Sequence, residues 1–300
     1  MKISFAIQEC TFLRYFIPLA LYLENRGHDV WFLWDMQKRK YNSPWNNKTE
    51  IDLILRRYGI KAGYISGNDV KNQWIRKLGV DLEICIEGLS MGTGARTLSL
   101  TYMTDFRKSL PTYIDTVDHV VIPSPYFAEK FGFDTKNPKF KFLGSPKYDR
   151  LDDYKNSLTC YLAKSSLLLY HPKAKDNVLK VGNDLLKQGK DILIKTRGKH
   201  QISASEFDLS LGGSARVVSD KSWYPHSTMV YMLAVDKIYN FDSTAVKEAV
   251  MLGLMHKFVN IPSKGYNLLS ELYEEGAKEK YLWNFNSCEA IADHIEKSYQ

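Results

Sequence analysis

Cysteine is scarce in this sequence, which has four in 300 residues. Cys10, Cys85, Cys160 and Cys288 are scattered, and no two of them have the Cys-x-x-Cys spacing of a zinc site. The sequence therefore predicts neither a zinc centre nor a disulfide framework. Reduced thiols are typical of the cytosol, so we expect a cytoplasmic protein.

Long hydrophobic runs are missing too. No segment approaches the roughly 18 to 20 consecutive apolar residues of a membrane span. The apolar run at residues 3–7 stops at Gln8 and is too short for the hydrophobic region of a signal peptide. We therefore predict neither a transmembrane helix nor a signal peptide.

Several metal- and phosphate-binding motifs are absent. The sequence contains no Asp-x-Asp pair, the arrangement with which many enzymes hold Mg²⁺ or Mn²⁺, and no Walker A motif. Gly92-Thr93-Gly94 is not followed by the third glycine of a dinucleotide-binding loop, because Thr97 stands at that place. Residues 97–102 alternate like a strand instead of starting a helix. We expect a plain turn there, no bound metal and no cofactor.

The overall composition is that of a globular protein, with 44% hydrophobic and 25% charged residues. Forty-one Lys and Arg against 34 Asp and Glu give a net charge of +7, which favours anionic ligands or an anionic membrane surface. No dense basic block or recognition motif for nucleic acid occurs, and we predict no nucleic-acid partner.

The first 35 residues predict a strand, a helix and a second, parallel strand. Apolar residues at 3–7 and 30–34 mark the strands, and residues 12–25 repeat at helical spacing up to Gly27. Pro18 inside the helix predicts a kink or a restart. In sheets of parallel strands, ligands bind beyond the carboxyl ends, so we expect residues 8–11 to line a binding site.

The same alternation continues to the end of the chain and predicts an α/β fold. A polar stretch at residues 147–159 separates two similar halves, and we place the domain boundary after residue 146. The predicted helices are 50–58, 110–116, 126–131, 177–188 and 228–234, one starting at the Asp242-Ser243-Thr244 turn, and two at the C-terminus. The predicted strands are 82–86, 97–102, 119–123, 139–143, 166–170, 192–195, 216–219, 237–240 and 257–261.

The turn Asp242-Ser243-Thr244 lies between a predicted strand and a predicted helix. Asp242 or Ser243 can cap this helix, whose first turn then offers backbone N–H groups and hydroxyls to a phosphate. Glu248 is expected on the exposed side, where it could accept hydrogen bonds from ribose hydroxyls. An ordinary helix cap would show the same residues.

Basic side chains follow other strands of the second half. Lys195, Arg197 and His200 come at one strand end, and His171 at another. His226, in Tyr224-Pro225-His226, precedes a short helix. These side chains could bind phosphate, although a solvated basic loop would have the same composition.

With both halves laid out, the chain resembles the GT-B glycosyltransferase fold. The resemblance is to the group that contains UDP-N-acetylglucosamine 2-epimerase, the CDP-glycerol glycerophosphotransferases and capsule glycosyltransferases. It implies two Rossmann-like, doubly wound domains facing across a cleft: an acceptor domain at 1–146 and a nucleotide-sugar donor domain at 147–300, with the last helix packing back on the first domain. It rests on residues 18–30, 120–131, 142–151, 167–173 and 192–200 and on Asp242-Ser243-Thr244 with Glu248.

The resemblance implies a donor site and an acceptor site. The donor phosphate and nucleotide would be bound by Lys195, Arg197, His200, Asp242, Ser243, Thr244, Glu248, His226, His171 and Ser145. Ser145 stands in Gly144-Ser145-Pro146-Lys147-Tyr148-Asp149, which is similar to the family's domain-ending Gly-x-Pro-x-x-Asp. Residues 101–107 lack the His-Gly of glycerophosphate transfer and the epimerase signature, and residues 36–80 match no motif.

A catalytic base is needed if the transfer inverts the sugar. Asp105 and Glu9 follow predicted strands of the acceptor half, and we rank Asp105 first. Arg14 or Arg107 could orient an anionic group, and Thr11 lies on the same acceptor side. A helix cap or a surface ion pair remains an alternative role for each carboxylate.

The leading hypothesis is a metal-independent glycosyltransferase with a UDP-, GDP-, CDP- or CMP-linked donor and a surface-glycan or lipid-linked acceptor. A 2-epimerase-like isomerase of sugar nucleotides is the second hypothesis. A non-catalytic module that binds anionic glycan or nucleic acid through its positive charge is the third. A homodimer and a peripheral contact with the inner membrane face stay open.

Overall fold

The computed structural model describes residues 1–35, 48–65, 74–102, 106–155, 164–196, 202–219, 224–241, 243–262 and 269–300. These residues form two compact units. The first contains Met1–Asp149 together with Tyr281–Gln300, and the second contains Arg150–Lys280. The domain boundary predicted after residue 146 had assigned residues 147–149 to the second domain.

The first unit is built on a sheet of seven strands in the order β3-β2-β1-β4-β5-β6-β7, and every neighbouring pair is parallel. The strands are β1 Lys2–Ile7, β2 Asp29–Asp35, β3 Lys61–Ile65, β4 Leu82–Ile86, β5 Arg96–Leu100, β6 His119–Ile122 and β7 Phe140–Phe142. β3 was not predicted from the sequence. It is a short edge strand, Lys-Ala-Gly-Tyr-Ile, in which only Gly63 and Ile65 are buried, so its sequence carries little apolar signal.

Within the described residues, the helices of the first unit include α1 Leu13–Asn25, α2 Lys48–Tyr58, α3 Leu110–Tyr113, α4 Pro125–Lys130 and, at the C-terminus, α10 Ser287–Tyr299. The helix α5 Leu151–Lys155 is the first helix of the second unit. The helix α1 continues through Pro18, so of the two predicted alternatives the restart is wrong and the kink stays a prediction. On the buried face of α1, Phe16 packs on Phe5 and Phe32 of the sheet, with ring centroids 5.1 and 6.1 Å apart.

The second unit is built on a five-stranded parallel sheet in the order β10-β9-β8-β11-β12. The strands are β8 Ser166–Leu169, β9 Ile192–Thr196, β10 Ala215–Ser219, β11 Lys237–Asn240 and β12 Phe258–Asn260. The further helices of this unit are α6 Lys175–Lys187, α7 Ser227–Ala234, α8 Val246–Met251 and α9 Ala277–Tyr281. Tyr281, the last residue of α9, already belongs to the first unit. Separate apolar cores cover the two faces of the sheet.

Both sheets reverse their strand order at one place. In the first unit the reversal lies between β1 and β4, and in the second between β8 and β11. The loops that leave two such strands at their carboxyl ends diverge to opposite sides and leave a crevice between them. The topology therefore marks the residues after β1 and β4, and those after β8 and β11, as the places where a ligand would bind.

The C-terminal helix α10 is fixed to the first unit by the segment Gly144–Asp149. The Asp149 carboxylate accepts hydrogen bonds from the backbone N–H groups of Ser287 at 3.4 Å and Cys288 at 2.5 Å, and thereby caps the helix. The backbone N–H of Ser145 donates to Ser287 Oγ at 2.9 Å. Gly144 has φ 78°, and a Cβ there would lie 2.1 Å from Ser287 Oγ.

The other end of α10 is held by a cluster of imidazole and phenol groups. His119 Nδ1 lies 2.7 Å from Tyr299 Oη and 3.2 Å from His294 Nε2. The Arg96 guanidinium donates to the carbonyl oxygens of Ser298 and Tyr299 and lies over the Tyr299 ring. Since His119 begins β6, this cluster sits at the amino ends of the strands, away from the expected ligand-binding edge.

Replacement of Asp149 by alanine should destabilise the first unit by about 1–2 kcal/mol, the usual cost of a lost helix cap. Asp149→Asn keeps an acceptor oxygen and should cost less. Urea unfolding of the three proteins measures the difference. Equal stability of the wild type and the alanine variant would show that the cap contributes nothing.

Burial lowers the pKa of His294 to about 4, and His119, Lys141 and Lys297 add to the effect. Below pH 6.5 the unfolded chain therefore binds a proton at this residue, whereas the native state binds it only near pH 4. We expect the free energy of unfolding to decrease as the pH is lowered from 6.5 to 4, and to decrease less in a His294→Gln variant. Denaturant titrations across the window test this, and parallel pH curves for the two proteins would contradict it.

Candidate functional site

The carboxyl ends of the second sheet bring one row of residues into register. Val218, Lys195, Leu169, Asn240 and Asn260 are paired across the five strands in that order. Neighbouring strands are about 4.8 Å apart, so the Cα atoms of Lys195 and Asn240 are separated by about 10 Å. Residues remote in sequence thus meet on one edge.

Lys195 is buried, with 6% of its surface exposed. Its Nζ donates to the carbonyl oxygen of Thr196 at 3.0 Å. Side chains two residues apart in a strand share a face, so Lys195 lies on the face of Leu193, which packs with Met232 of α7 and Ala249 of α8. The ammonium group therefore stands at the carboxyl edge, on the side where α7 and α8 begin.

The turn after β11 has a different geometry from the predicted one. Asp242 lies outside the described residues, and the residue that precedes α8 is Ala245, which makes no side-chain cap. Ser243 Oγ instead accepts a hydrogen bond from the Ala245 N–H at 3.4 Å. The prediction that Ser243 caps the helix is therefore wrong: Ser243 closes the turn that leads into α8, and the six-residue helix starts later.

Glu248 is buried, with 8% of its surface exposed, whereas the sequence predicted an exposed position. Every residue of α8 is buried. The helix packs against α7 on one side and against the turn Ser270–Tyr273 on another, which removes the free face that the prediction assumed. The predicted exposed position is therefore wrong, and the contact of Glu248 with ribose hydroxyls stays a prediction.

The two predicted histidines of the second unit occupy turns at the same edge. His171 follows β8, and its Nδ1 accepts a hydrogen bond from the Lys173 N–H at 3.3 Å. His226 is 6% exposed and immediately precedes α7, where its carbonyl oxygen accepts from the N–H groups of Met229 and Val230. Lys195, His171, His226 and the turn at Ser243-Thr244 are thus gathered at one edge of one sheet.

Several predicted site residues have no described position. Arg197 and His200 of the donor set lie outside the described residues, as does Asp105, the first-ranked catalytic base. Their roles stay predictions.

In the first unit, the loop after β1 holds three of the predicted residues. Glu9 is exposed, and its Oε2 accepts a hydrogen bond from Thr11 Oγ1 at 3.1 Å. Thr11 is 7% exposed, and Arg14, in the first turn of α1, is 8% exposed. These residues lie at the carboxyl end of β1, beside the reversal of strand order.

Two further predicted site residues, Arg107 and Ser145, make other contacts. The Arg107 guanidinium lies over the ring of Phe131, 5.4 Å from its centroid, on an exposed surface. Ser145, which was assigned to the donor set, belongs to the first unit, where it is buried against α10. Its backbone N–H helps to hold α10, and its predicted role in phosphate binding stays a prediction.

Glu87 is a candidate catalytic carboxylate that was not predicted from the sequence. It follows β4 at the reversal of strand order and has a left-handed backbone with φ 48°, which is uncommon for a side chain other than Asn, Asp or Gly. Its Oε1 accepts a weak hydrogen bond from Ser109 Oγ at 3.4 Å. Gly88, directly after Glu87 at the end of a buried strand, was the available signal, because glycine marks turns.

Clusters of metal-binding side chains and membrane-spanning helices are both absent from the described residues. Within them, no group of three or more His, Cys, Asp and Glu side chains is arranged to hold a metal ion. The helices described above include none that is long and apolar enough to cross a membrane.

Known proteins resemble this chain in their structures. No protein-family model and no curated protein matches the sequence. Among solved structures, the UDP-GlcNAc 2-epimerase of Methanocaldococcus jannaschii, in complex with UDP-GlcNAc and UDP, is similar with a TM-score of 0.63. The two proteins are 13% identical, and the match covers 99% of this chain and all of the other.

Two further structures are similar over nearly their whole lengths. A putative UDP-N-acetylglucosamine 2-epimerase from Listeria monocytogenes has a TM-score of 0.61 at 12% identity, with 99% of this chain and 97% of the other covered. MurG of Acinetobacter baumannii has a TM-score of 0.53 at 13% identity, with 99% and 100% covered. At such low identity the likeness concerns the fold, and it confirms the fold class: two doubly wound α/β units, as in GT-B glycosyltransferases and UDP-GlcNAc 2-epimerases.

Proposed function

We propose that this protein is a glycosyltransferase that moves a sugar from a nucleotide-sugar donor to a glycan or similar acceptor without a metal ion. The observation that carries the proposal is the buried Lys195 at the carboxyl edge of the second sheet, on the edge that also holds His226 and the Ser243-Thr244 turn. A GT-B fold supports the broader assignment to sugar-nucleotide chemistry.

The chemistry of the donor explains why a buried cation matters. When the bond between the sugar and the leaving phosphate breaks, negative charge grows on the phosphate oxygens. A preorganised cation or N–H donor that faces those oxygens stabilises the transition state, and does so more strongly where water is excluded. We assign this role to Lys195 and the phosphate contacts to Ser243 and Thr244.

The acceptor chemistry is assigned to the first unit. Glu9 would accept the proton of the attacking hydroxyl as it attacks the sugar carbon, and Thr11 fixes its carboxylate by the hydrogen bond at 3.1 Å. Arg14 would orient an anionic acceptor or donor group. Asp105, which the sequence ranked first, stays the other candidate base.

A second candidate function is epimerisation of the sugar nucleotide itself. It is favoured by the two 2-epimerases among the similar structures, one of them bound to UDP-GlcNAc and UDP. Product analysis with donor alone separates the two reactions. An epimerase changes the sugar without an acceptor, whereas a glycosyltransferase needs one.

Nucleotide binding is the first test. UDP, GDP, CDP, CMP and their sugar conjugates should include at least one ligand that raises the melting temperature, because a ligand that binds only the native state stabilises it. EDTA should leave this shift unchanged. No shift with any of them at millimolar concentration would contradict the proposed function.

The Lys195→Met variant should bind the active nucleotide about 10- to 100-fold more weakly, because it removes a charged donor while nearly keeping its volume. Thr244→Ala should weaken binding as well. The matched control is Lys187→Met, which removes an exposed lysine at the end of α6. Equal losses in the lysine variants would show a general charge effect, as expected for a non-catalytic anion-binding module.

Replacement of Glu9 by glutamine should lower kcat about 10²- to 10⁴-fold with little change in nucleotide affinity, since a general base acts in the transition state. Asp105→Asn and Glu87→Gln are the comparison variants. Steady-state kinetics with donor and acceptor measure the effects. If Glu9→Gln keeps full activity while one of the others loses it, the base is that other residue.

A further inference from the structure

Asn240 lies at the centre of a buried polar network next to the proposed phosphate turn. It is the last residue of β11, it is paired with Leu169 and Asn260, and none of its surface is exposed. Its face of the sheet is also that of Lys195, because paired residues of parallel strands point to the same side. A buried amide at this position needs hydrogen-bond partners.

The side-chain nitrogen of Asn240 has three neighbours. Nδ2 lies 3.2 Å from the carbonyl oxygen of Ser243, 2.9 Å from Tyr273 Oη and 3.3 Å from Asn260 Oδ1. Tyr273 Oη in turn donates to Asn260 Oδ1 at 2.8 Å. The network therefore ties three places together: the turn after β11, the end of β12 and the turn Ser270–Tyr273.

The directions of these hydrogen bonds follow from the groups available. Nδ2 carries two hydrogens, and the Ser243 carbonyl can only accept. A flipped amide would place two acceptor oxygens against each other, so the contact with Ser243 fixes the orientation. The Tyr273 hydroxyl gives its hydrogen to Asn260 and accepts the second one from Asn240.

Stability alone does not explain this network. Asn240 Oδ1 is buried and has no hydrogen-bond partner in the described structure, which is unfavourable for folding. An apolar residue would avoid that cost. What the amide provides is the contact that an apolar residue cannot make, namely the hydrogen bond to the Ser243 carbonyl.

We propose that Asn240, Asn260 and Tyr273 are positioning residues that hold the Ser243-Thr244 turn in its phosphate-binding conformation before the ligand arrives. The inference rests on the proposed function. A turn ordered in advance spares the ligand the entropy cost of ordering it. Loss of the network therefore weakens nucleotide binding although none of the three residues has to touch the nucleotide.

Tyr273→Phe is the sharpest variant. It removes the hydroxyl and keeps the ring, which packs with its centroid 6.0 Å from that of Phe258. The substitution removes both hydrogen bonds of the hydroxyl, to Asn240 and to Asn260. We expect nucleotide affinity to fall about fivefold, because the turn is then less well ordered before the ligand binds. The control is Tyr239→Phe on the same strand as Asn240, because the described structure gives the Tyr239 hydroxyl no hydrogen bond. Its affinity should equal that of the wild type.

A double-mutant cycle distinguishes positioning from a general loss of stability. Tyr273→Phe, Thr244→Ala and the double variant are titrated with the nucleotide found active on the wild type, well below each melting temperature. If Tyr273 acts through the turn, the double variant should bind only slightly more weakly than Thr244→Ala alone. Additive losses, or an unchanged affinity of Tyr273→Phe, would overturn the inference.

Asn260→Ala removes the acceptor of the tyrosine hydroxyl and should reproduce the loss seen with Tyr273→Phe. A normal affinity in this variant would also overturn the inference. If the wild type binds no nucleotide, the proposed function fails and the inference fails with it. If the wild type binds but the network variants bind equally well, only the inference fails.

Discussion

The parallel arrangement of every strand is the constraint on which the rest of this structure depends. Parallel strands end on the same side, so residues that are 26 positions apart in sequence, such as Leu169 and Lys195, become neighbours at one edge. The order β10-β9-β8-β11-β12 then opens a crevice beside β8 and β11. The topology thus brings the strand ends together, and the loops that follow them supply the functional side chains.

Buried polar groups at that edge indicate what the second unit is built to do. Lys195, His226 and Asn240 are all nearly or fully buried. Burial of such groups opposes folding unless hydrogen bonds or charges compensate, so their presence at one edge of the sheet is costly for stability. A ligand with phosphate oxygens would find a cation and ordered donors there. In the first unit, by contrast, the polar groups of residues 144–149 bind the start of α10.

The sequence was informative where periodicity and topology act and less so where packing decides. The α/β fold and the ends of β9 and β11 could be predicted because apolar strands that alternate with helices imply a parallel sheet. The edge strand β3 buries only Gly63 and Ile65, so its sequence shows no apolar run. Burial of Glu248 arises from contacts of α8 with Ser270–Tyr273, and the role of Asn240 from a partner 33 residues away. No local pattern reports such contacts.

The central claim is that a nucleotide binds at the carboxyl edge of the second sheet. Hydrogen exchange measured by mass spectrometry, with and without the nucleotide that stabilises the protein, tests it most directly. The account predicts slower exchange in residues 240–249 and at the carboxyl end of β9, with little change at the amino ends of β8 and β11. Protection confined to those amino ends, or to the cluster around His119 and His294, would contradict it.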